Sequence, residues 1–230
     1  MRILLVENDE TIAEPLERAL VHEGFDVDRV ATGAAAVDAA RGLLAGEPDV
    51  VLLDLGLPDV DGYEVCRRVR ASSDVPIVFL SAQSAEEDRV IGLDLGGDDF
   101  VVEPFGVREL AARIRAVSRR RVAATTPAVA AVSGVSDVGR LVVDRRAHRV
   151  ALDGGAVQLT PKEFDVLALL AEDAGAVYER NALLERVWGH PWFGPTKTLD
   201  VHIAGIRKKL GDHRWIESVR GVGFRLNPLD

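Results

Sequence analysis

The first 120 residues alternate short apolar runs with amphipathic segments five times, and this alternation restricts the fold more than any other feature of the chain. Two of the runs, Val50–Leu53 and Ile77–Leu80, are continuously apolar, as expected of strands that helices cover on both faces. Repeated βα units of this kind predict an open, mostly parallel, doubly wound α/β sheet. The predicted strands are Arg2–Glu7, Asp26–Val30, Asp49–Asp54, Pro76–Leu80 and Asp98–Val102, with helices near residues 10–23, 33–45, 61–71, 85–95 and 106–120.

The pattern changes after residues 121–138, a small-residue segment with Pro127 that we interpret as a linker. Beyond it, Asp153-Gly154-Gly155 predicts a hairpin turn, and Thr160-Pro161-Lys162-Glu163 predicts a capped helix start with a capping box. Three helices followed by a β-hairpin predict a winged helix-turn-helix. The predicted domains are therefore 1–120 and 139–230. Within the second, the predicted strands are Leu141–Asp144, Arg149–Leu152, Ala156–Leu159, Ile216–Val219 and Phe224–Leu226, and the helices follow Thr160 and cover about 180–188 and 197–210.

Charge differs between the two halves. Residues 1–122 carry 14 arginines against 24 acidic residues, a net charge of −10, whereas residues 123–230 carry 14 basic against 13 acidic residues, a net charge of +1. Residues 197–230 alone reach +3. The asymmetry predicts two modules with different partners, and it leaves nucleic acid open as the partner of the second.

Two further features concern location. No apolar run approaches the roughly 20 residues needed to cross a bilayer, so we expect no membrane association. The single cysteine, Cys66, lies among apolar helical positions and excludes an intramolecular disulfide. We therefore expect a cytoplasmic protein in which Cys66 is a small core residue.

Polar residues fall at the carboxyl ends of four predicted strands. Glu7 and Asn8 follow the first strand, Asp54 ends the third, Ser81 follows the fourth and Glu103 follows the fifth. Because the carboxyl ends of parallel strands meet at one edge of a sheet, these side chains are expected to share a cleft. This juxtaposition is the candidate site of the first domain.

Two enzyme classes were weighed for this cleft. A haloacid-dehalogenase-type hydrolase would need a second aspartate two residues after Asp54, and Gly56 stands there. A dinucleotide-binding enzyme would need a glycine-rich turn after the first strand, where Glu7–Glu10 would instead repel a pyrophosphate. We therefore expect no enzymatic activity.

The strand-end segments resemble the receiver domains of two-component systems. They read Ile3-Leu-Leu-Val-Glu7-Asn8-Asp9-Glu10, Val51-Leu-Leu-Asp54-Leu-Gly-Leu-Pro58-Asp-Val-Asp61-Gly62, Leu80-Ser81-Ala82 and Asp98-Asp99-Phe100-Val-Val-Glu103-Pro104-Phe105. With the second half included, the chain resembles response regulators of the OmpR/PhoB family over nearly its whole length. The resemblance implies a flavodoxin-like receiver and a DNA-binding transcription regulator.

By this resemblance, Asp54 matches the phospho-accepting aspartate, and Glu7 with Asn8 matches the acidic pair that holds Mg²⁺. Ser81 matches the switch hydroxyl, Phe100 the switch aromatic residue, and Glu103 the position of the family's lysine. Two of these matches are departures, because Asn8 replaces a carboxylate by an amide and Glu103 replaces a positive by a negative charge. The first lysine of the chain is Lys162, so no nearby lysine substitutes.

These departures predict a degenerate phosphorylation pocket. A like-charge interaction of about 1–4 kcal/mol at 4 Å would oppose a phosphoryl group that has also lost its cationic partner. We therefore expect Asp54 to be weakly used, Mg²⁺ binding to be weak and no cofactor to be resident. Control would come from a small ligand, a partner or a constitutive dimer. The alternative is a conventional two-component regulator phosphorylated on Asp54 by a histidine kinase.

The resemblance also implies a homodimer through the fourth helix, fifth strand and fifth helix of the receiver. Exposed ion pairs are individually weak, about 0–1 kcal/mol each, so the prediction depends on the set. The matching inter-subunit pairs are Arg89 with Glu109, Asp98 with Arg113, and Asp99 with Arg120.

The segment 197–210 has the pattern of a recognition helix, with apolar residues at helical spacing and basic or polar residues between them. We expect Leu199, Ile203, Ile206 and Leu210 to face the core. Gly205 stands where family members carry an arginine contact, which predicts thinner base readout. By resemblance and spacing, the residues predicted to bind double-stranded DNA are Lys197, Thr198, Val201, His202, Arg207, Lys208 and, at the wing, Arg220.

An aromatic loop, Trp188-Gly-His190-Pro-Trp192-Phe193-Gly-Pro195, precedes that helix. In the family this loop touches RNA polymerase, which makes His190, Trp192 and Phe193 the predicted contacts and Trp188 a predicted core residue. His190 has no metal-ligand companion at useful spacing, so no metal is assigned to it.

Overall fold

The computed structural model describes residues 1–42, 46–82, 86–124, 134–189 and 197–229, and the chain divides into two units, Met1–Thr125 and Thr126–Asp230. The first unit alternates strand and helix five times, as the sequence predicts. Its elements are β1 Arg2–Val6, α1 Glu10–His22, β2 Asp26–Val30, α2 Gly33–Ala40, β3 Val50–Asp54, α3 Gly62–Arg70, β4 Ile77–Ser81, α4 Glu86–Asp94, β5 Asp99–Val102 and α5 Val107–Ala124.

The five strands of this unit form one parallel sheet in the order β2-β1-β3-β4-β5. The central strands β3 and β4 are almost entirely buried, which explains why their sequences are continuously apolar. The chain reverses its direction of winding between β1 and β3. Such a switch point is where open α/β sheets bind ligands, beyond the carboxyl ends of the strands.

Local sequence determines where the helices on this edge begin. Asp9 caps α1 by accepting a hydrogen bond from the Thr11 backbone N–H at 2.8 Å, and Asp61 caps α3 by accepting one from the Tyr63 N–H at 2.7 Å. Both caps satisfy a backbone donor that a helix start leaves without a partner. Asp9 is therefore occupied as a cap directly beside Glu7 and Asn8.

The second unit is a winged helix-turn-helix, as predicted. A four-stranded antiparallel sheet, β6-β7-β8-β9, precedes the helices, and a three-stranded sheet in the order β10-β12-β11 contains the closing hairpin. The elements are β6 Val135–Val138, β7 Leu141–Asp144, β8 Arg149–Leu152, β9 Gly155–Val157, α6 Pro161–Leu170, β10 Val177–Glu179, α7 Arg180–Trp188, α8 Lys197–Leu210, β11 Ile216–Val219 and β12 Gly223–Leu226.

The hairpin turn and the capping box predicted for this half are both present. Asp153 and Gly154 both have positive φ, 52° and 77°, the backbone conformation of a tight two-residue hairpin turn. At the start of α6, Thr160 Oγ1 accepts from the Glu163 N–H while the Glu163 carboxylate accepts from the Thr160 N–H at 2.6 Å, which completes the capping box.

Most boundaries lie within one or two residues of the sequence prediction, and the larger differences include these. The predicted linker, residues 121–138, is shorter at both ends, because α5 continues to Ala124 and Val135–Val138 pair with β7 as strand β6. Strand β9 lies at Gly155–Val157 rather than Ala156–Leu159. Strand β10 was not predicted, since three residues that pair only with β12 leave too short a pattern to recognise.

No helix among the described residues has the length and apolar character to cross a membrane. Cys66 is fully buried in the receiver core, as expected, and burial raises the pKa of its thiol to about 12.

Candidate functional site: an acidic receiver cleft and a nucleic-acid interface

The sheet brings Glu7 and Asp54 to neighbouring positions. Strands β1 and β3 pair in parallel with Val6 opposite Leu53. Glu7 and Asp54, the next residues, therefore lie side by side at the carboxyl edge of the sheet. Glu103 follows β5, and its backbone N–H donates to the carbonyl of Ser81 at the end of β4, 2.9 Å away. The predicted convergence of strand ends is therefore present in the structure.

The pKa values of three carboxylates in this cleft are raised, mainly by burial and in two cases also by neighbouring negative charge. Burial raises the pKa of Glu7, with further increases from Asp54 and Glu103, and burial followed by the charge of Asp54 raises the pKa of Glu103. Burial also raises the pKa of Asp54. Among the described residues, the opposing effects are backbone hydrogen bonds rather than basic side chains. The cleft therefore holds crowded negative charge.

Hydrogen bonds to the backbone hold two of these carboxylates in place. Glu7 Oε1 accepts from the Asp9 N–H at 2.8 Å, and Asp54 Oδ2 accepts from the Gly56 N–H at 3.0 Å. Glu7 is only 3% exposed, whereas Asp54 and Glu103 are half-buried. Asp54 is thus reachable from solvent, and its surroundings rather than its access limit its chemistry.

The cleft fits a divalent cation poorly. Asn8 is exposed and supplies an amide in place of a carboxylate, and amide oxygen is a weaker ligand for a hard cation. Within residues 1–42, 46–82 and 86–124, no group of three acidic, histidine or cysteine side chains has an arrangement suited to a metal ion.

The two predicted switch residues lie inside the receiver. Ser81 ends β4 and is 3% exposed. Phe100 is 1% exposed and packs against Phe79, with ring centroids 6.0 Å apart, and Tyr63 packs edge-on against Phe79 with centroids 5.8 Å apart. The aromatic residue thus belongs to the core in this conformation.

The predicted dimerisation residues are engaged within their own chain. Asp98 is buried and accepts from Arg70 at 2.5 Å and from the Ile77 N–H at 2.9 Å. Arg113 donates to Asp99 at 2.9 Å and to Glu109 at 2.7 Å. Asp98 and Arg113, which were predicted to pair with each other across a dimer, therefore each have different partners within the chain.

The remaining members of that set give less information. Arg89 is half-buried on α4, and the Arg120 side chain lies outside the described residues. The inter-subunit pairs Arg89 with Glu109 and Asp99 with Arg120 stay predictions.

Helix α8 buries the predicted core positions and more. Leu199, Ile203, Ile206 and Leu210 are all at most 3% exposed, as expected. However, Thr198 and His202, predicted to contact DNA, are also buried, at 0% and 1% exposed.

The burial of Thr198 and His202 is a correction with a packing cause. The helix packs against α6, and the His202 ring contacts the fully buried Trp188 with centroids 5.4 Å apart. Gly205 is buried as well, so in this structure it faces the interior rather than marking a missing contact. The buried stripe of α8 is therefore wider than the sequence spacing suggested.

The outward face of α8 is formed by Lys197, Val201, Ala204 and Lys208, which are exposed or half-buried at helical spacing. Of these, Ala204 was missed by sequence reasoning, although the intervals of three and four residues from Lys197 pass through it. We call these four residues the outward stripe.

Polar contacts flank the outward stripe. Arg207 donates to the Ile216 carbonyl at 2.8 Å and to Ser218 Oγ at 2.8 Å, so its guanidinium ties α8 to β11 instead of projecting freely. Arg180, which sequence reasoning also missed, pairs with Asp200 and lies 4.9 Å over the Phe224 ring. Arg220 is exposed in the turn between β11 and β12, as predicted for a wing residue.

The predicted polymerase contacts, His190, Trp192 and Phe193, lie outside the described residues. Nothing in the structure tests them.

Two protein families match the chain, and they match the two units separately. Residues 3–115 match "Response regulator receiver domain", and residues 154–226 match "Transcriptional regulatory protein, C terminal". The chain is 41% identical over 228 residues to the sensory transduction protein RegX3 of Mycolicibacterium smegmatis, covering 97% of this chain and 98% of that protein. It is 38% identical over 226 residues to the response regulator ArlR of Staphylococcus aureus, with the same two coverages.

Solved structures give the same result. A cysteine-to-aspartate mutant of RitR superposes with a TM-score of 0.74 at 27% identity and covers 99% of both chains. DrrB of Thermotoga maritima, described as an OmpR/PhoB homolog, has a TM-score of 0.51 at 30% identity over 98% of both chains.

Proposed function

The chain belongs to the OmpR/PhoB family of DNA-binding transcriptional response regulators, a non-enzymatic family, and from this premise we propose that its activity is controlled independently of phosphorylation at Asp54. The observation that carries the proposal is the charge at residue 103. Glu103 lies in the cleft with Glu7 and Asp54, and each of the three has a raised pKa.

The electrostatic reason concerns the phosphorylated state. Phosphorylation would convert the Asp54 carboxylate, with one negative charge, into an acyl phosphate with about two negative charges, beside the carboxylates of Glu7 and Glu103. Each like-charge interaction at about 4 Å costs roughly 1 kcal/mol in a water-like dielectric and roughly 4 kcal/mol at an effective dielectric of 20. The cost converts to a loss of about 5-fold to 1,000-fold in the extent of phosphorylation.

The alternative is a conventional two-component regulator phosphorylated on Asp54 by a histidine kinase. The half-buried Asp54 and the retained hydroxyl of Ser81 favour this alternative. However, neither the solvent access of Asp54 nor the hydroxyl of Ser81 offsets the negative charge of Glu103. The regulating input in our proposal is a small ligand, a protein partner or a constitutive dimer.

The test compares phosphorylation of the full chain with and without restored charges. Wild type, Asp54→Asn, and the double variant Asn8→Asp with Glu103→Lys are incubated with acetyl phosphate and Mg²⁺ and separated on a Phos-tag gel. We expect at least a fivefold stronger shifted band in the double variant than in wild type, and none in Asp54→Asn. A wild-type band as strong as that of the double variant would establish the conventional alternative.

For the second unit we propose that the outward stripe of α8 enters the major groove of double-stranded DNA while Arg220 reaches the adjacent minor groove. Lys197 and Lys208 supply positive charge for phosphates, and Val201 and Ala204 offer small apolar surfaces for thymine methyl groups. Sequence-specific readout would then depend mainly on the small side chains. A receiver homodimer and RNA polymerase contact through residues 190–193 belong to the same proposal.

A further inference from the structure

A cavity of about 580 Å³ opens between the start of α1 and the segment that follows β5. Its walls are mostly apolar: Ile12, Pro15 and Leu16 come from α1, and Pro104, Phe105 and Val107 come from the other side. Cavities of about 300–1,000 Å³ with mainly apolar walls are typical of small-molecule sites. Ile12 is 37% exposed here, which leaves a large apolar side chain at the cavity for a ligand to cover.

The charge at this cavity is of one sign. Among the described residues that line it, Glu103 is the charged one, and Asp54 interacts electrostatically with Glu103 from the adjoining cleft. An anionic ligand would meet repulsion at this end. A cation would relieve the crowding of carboxylates, and apolar contacts would hold the rest of such a molecule.

We propose that this cavity binds a small amphipathic cation, an amine on an apolar body, whose ammonium group pairs with Glu103. The inference deepens the proposed phosphorylation-independent control and supplies its input: a ligand cation would occupy the place that the family's lysine fills in conventional receivers. The apolar body would contact Ile12, Leu16 and Phe105.

The experiment is a titration of the full chain with three probes of the same shape and different charge: 4-phenylbutylamine, 4-phenylbutanol and 4-phenylbutyrate. Binding is followed by methyl NMR. The Ile12 methyl group reports on the cavity, and Ile77 in the sheet and Ile206 in the second unit are internal references. We expect saturating shifts at Ile12 with about tenfold tighter binding of the amine than of the alcohol, because a charge-assisted hydrogen bond is added. The carboxylate should bind most weakly.

Two glutamate variants separate specific pairing from general charge. Glu103→Gln should remove the preference for the amine over the alcohol by weakening amine binding about tenfold. Glu14→Gln removes a 61% exposed carboxylate of α1 that pairs with Arg18 and does not line the cavity, so it should keep the preference. Equal binding of amine and alcohol to wild type, equal effects of the two variants, or no saturating shift at Ile12 would each overturn the proposal.

The outcome is independent of the phosphorylation test. Amine binding through Glu103 in a protein that is also phosphorylated efficiently on Asp54 would preserve the ligand site and reject phosphorylation-independent control. A protein that is not phosphorylated and binds none of the probes would preserve phosphorylation-independent control and reject the ligand site.

Discussion

The receiver cleft and the outward face of the DNA-binding unit treat charge in opposite ways. In the cleft, burial raises the pKa values of Glu7, Asp54 and Glu103, and neighbouring carboxylates raise those of Glu7 and Glu103 further. On the second unit, the positively charged side chains of Lys197, Lys208 and Arg220 are exposed, where a phosphate can reach them. The overall net charge of −9 describes neither region.

This difference shows which function each region can perform. An anion is repelled by the cleft and attracted by the face of the second unit. In our proposal, the chain therefore keeps the electrostatics of DNA binding while lacking those of phosphoryl transfer to Asp54. Whether the contrast is as strong as the structure suggests can be measured, from the largest expected effect to the smallest.

The largest expected effect is on the stability of the receiver and concerns Asp98, a buried acid that forms an ion pair with Arg70. Asp98 is 1% exposed and pairs with Arg70, so Arg70→Ala would leave a buried carboxylate without its main counter-charge. We expect a loss of about 3–5 kcal/mol in the free energy of unfolding of the receiver. Calorimetry of the full chain measures it, with the transition of the second unit assigned by tryptophan fluorescence, since all three tryptophans follow residue 187.

Arg140→Ala is the matched control for that substitution. Arg140 pairs with Asp153 at a surface where both side chains are about half exposed, and such pairs contribute about 0–1 kcal/mol. A loss for Arg70→Ala no greater than that for Arg140→Ala would mean that Asp98 finds another cation, such as the predicted Arg113 of a partner subunit.

The second effect concerns the exposed cations. Replacing Lys197, Lys208 and Arg220 together by alanine should remove three phosphate contacts, each worth about 0.9 in the slope of log K against log salt. The slope should therefore fall by about 2.7, and affinity at 0.1 M salt by about 500-fold. Fluorescence anisotropy with duplex DNA over a range of salt concentrations measures both. Arg149→Ala, an exposed arginine of β8, is the control and should leave the slope unchanged.

The two regions also differ in how far their residues could be predicted from sequence. Strand ends of a parallel sheet meet at one edge whatever the exact strand bounds, so Glu7, Asp54 and Glu103 were brought together correctly. On a helix, successive side chains point about 100° apart. A small error in predicting which face of the helix is buried therefore moves a residue from the core to the surface or the reverse. Thr198 and His202 were misplaced in this way, because the packing of Trp188 and α6 against α8 involves residues distant in sequence.

Pairing partners were the least predictable feature. Arg70 lies 28 residues before Asp98, and nothing in the sequence distinguishes it from the other arginines of the receiver. Asp99 was predicted to pair with Arg120 of a partner subunit, yet it is buried and within the chain its partner is Arg113. Side-chain pairing depends on packing that a spacing rule does not contain.

The third prediction tests the corrected helix face. His202 contacts Trp188 in the core, so His202→Ala should lower the free energy of unfolding of the second unit by about 2–3 kcal/mol through the cavity it leaves. Urea unfolding followed by tryptophan fluorescence reports on this unit alone. Val201→Ala on the outward stripe should change stability by under about 1 kcal/mol while it alters operator selectivity. Loss of DNA affinity without loss of stability in His202→Ala would restore His202 to the interface.

The smallest effect should come from the cleft itself, and its sign follows from the raised pKa values. A carboxyl group whose pKa is higher in the folded than in the unfolded protein stabilises the fold fully below the unfolded pKa, and that contribution is lost as pH rises through the folded pKa. Glu103→Gln removes one such group. The variant should match wild type near about pH 3, below the unfolded pKa, and become more stable by under about 1 kcal/mol near pH 7.5, because Glu103 is only half-buried and screened by solvent.

Glu64→Gln gives the opposite sign and so completes the comparison. Hydrogen bonding by Arg68 and the charge of Arg67 lower the pKa of Glu64, so its contribution is present above the unfolded pKa and lost as pH falls through the folded pKa. This variant should be the less stable one at neutral pH and should approach wild type in acid. If both variants shifted stability in the same direction with pH, the effect would reflect the overall negative charge of the receiver, and the cleft would have no electrostatic character of its own.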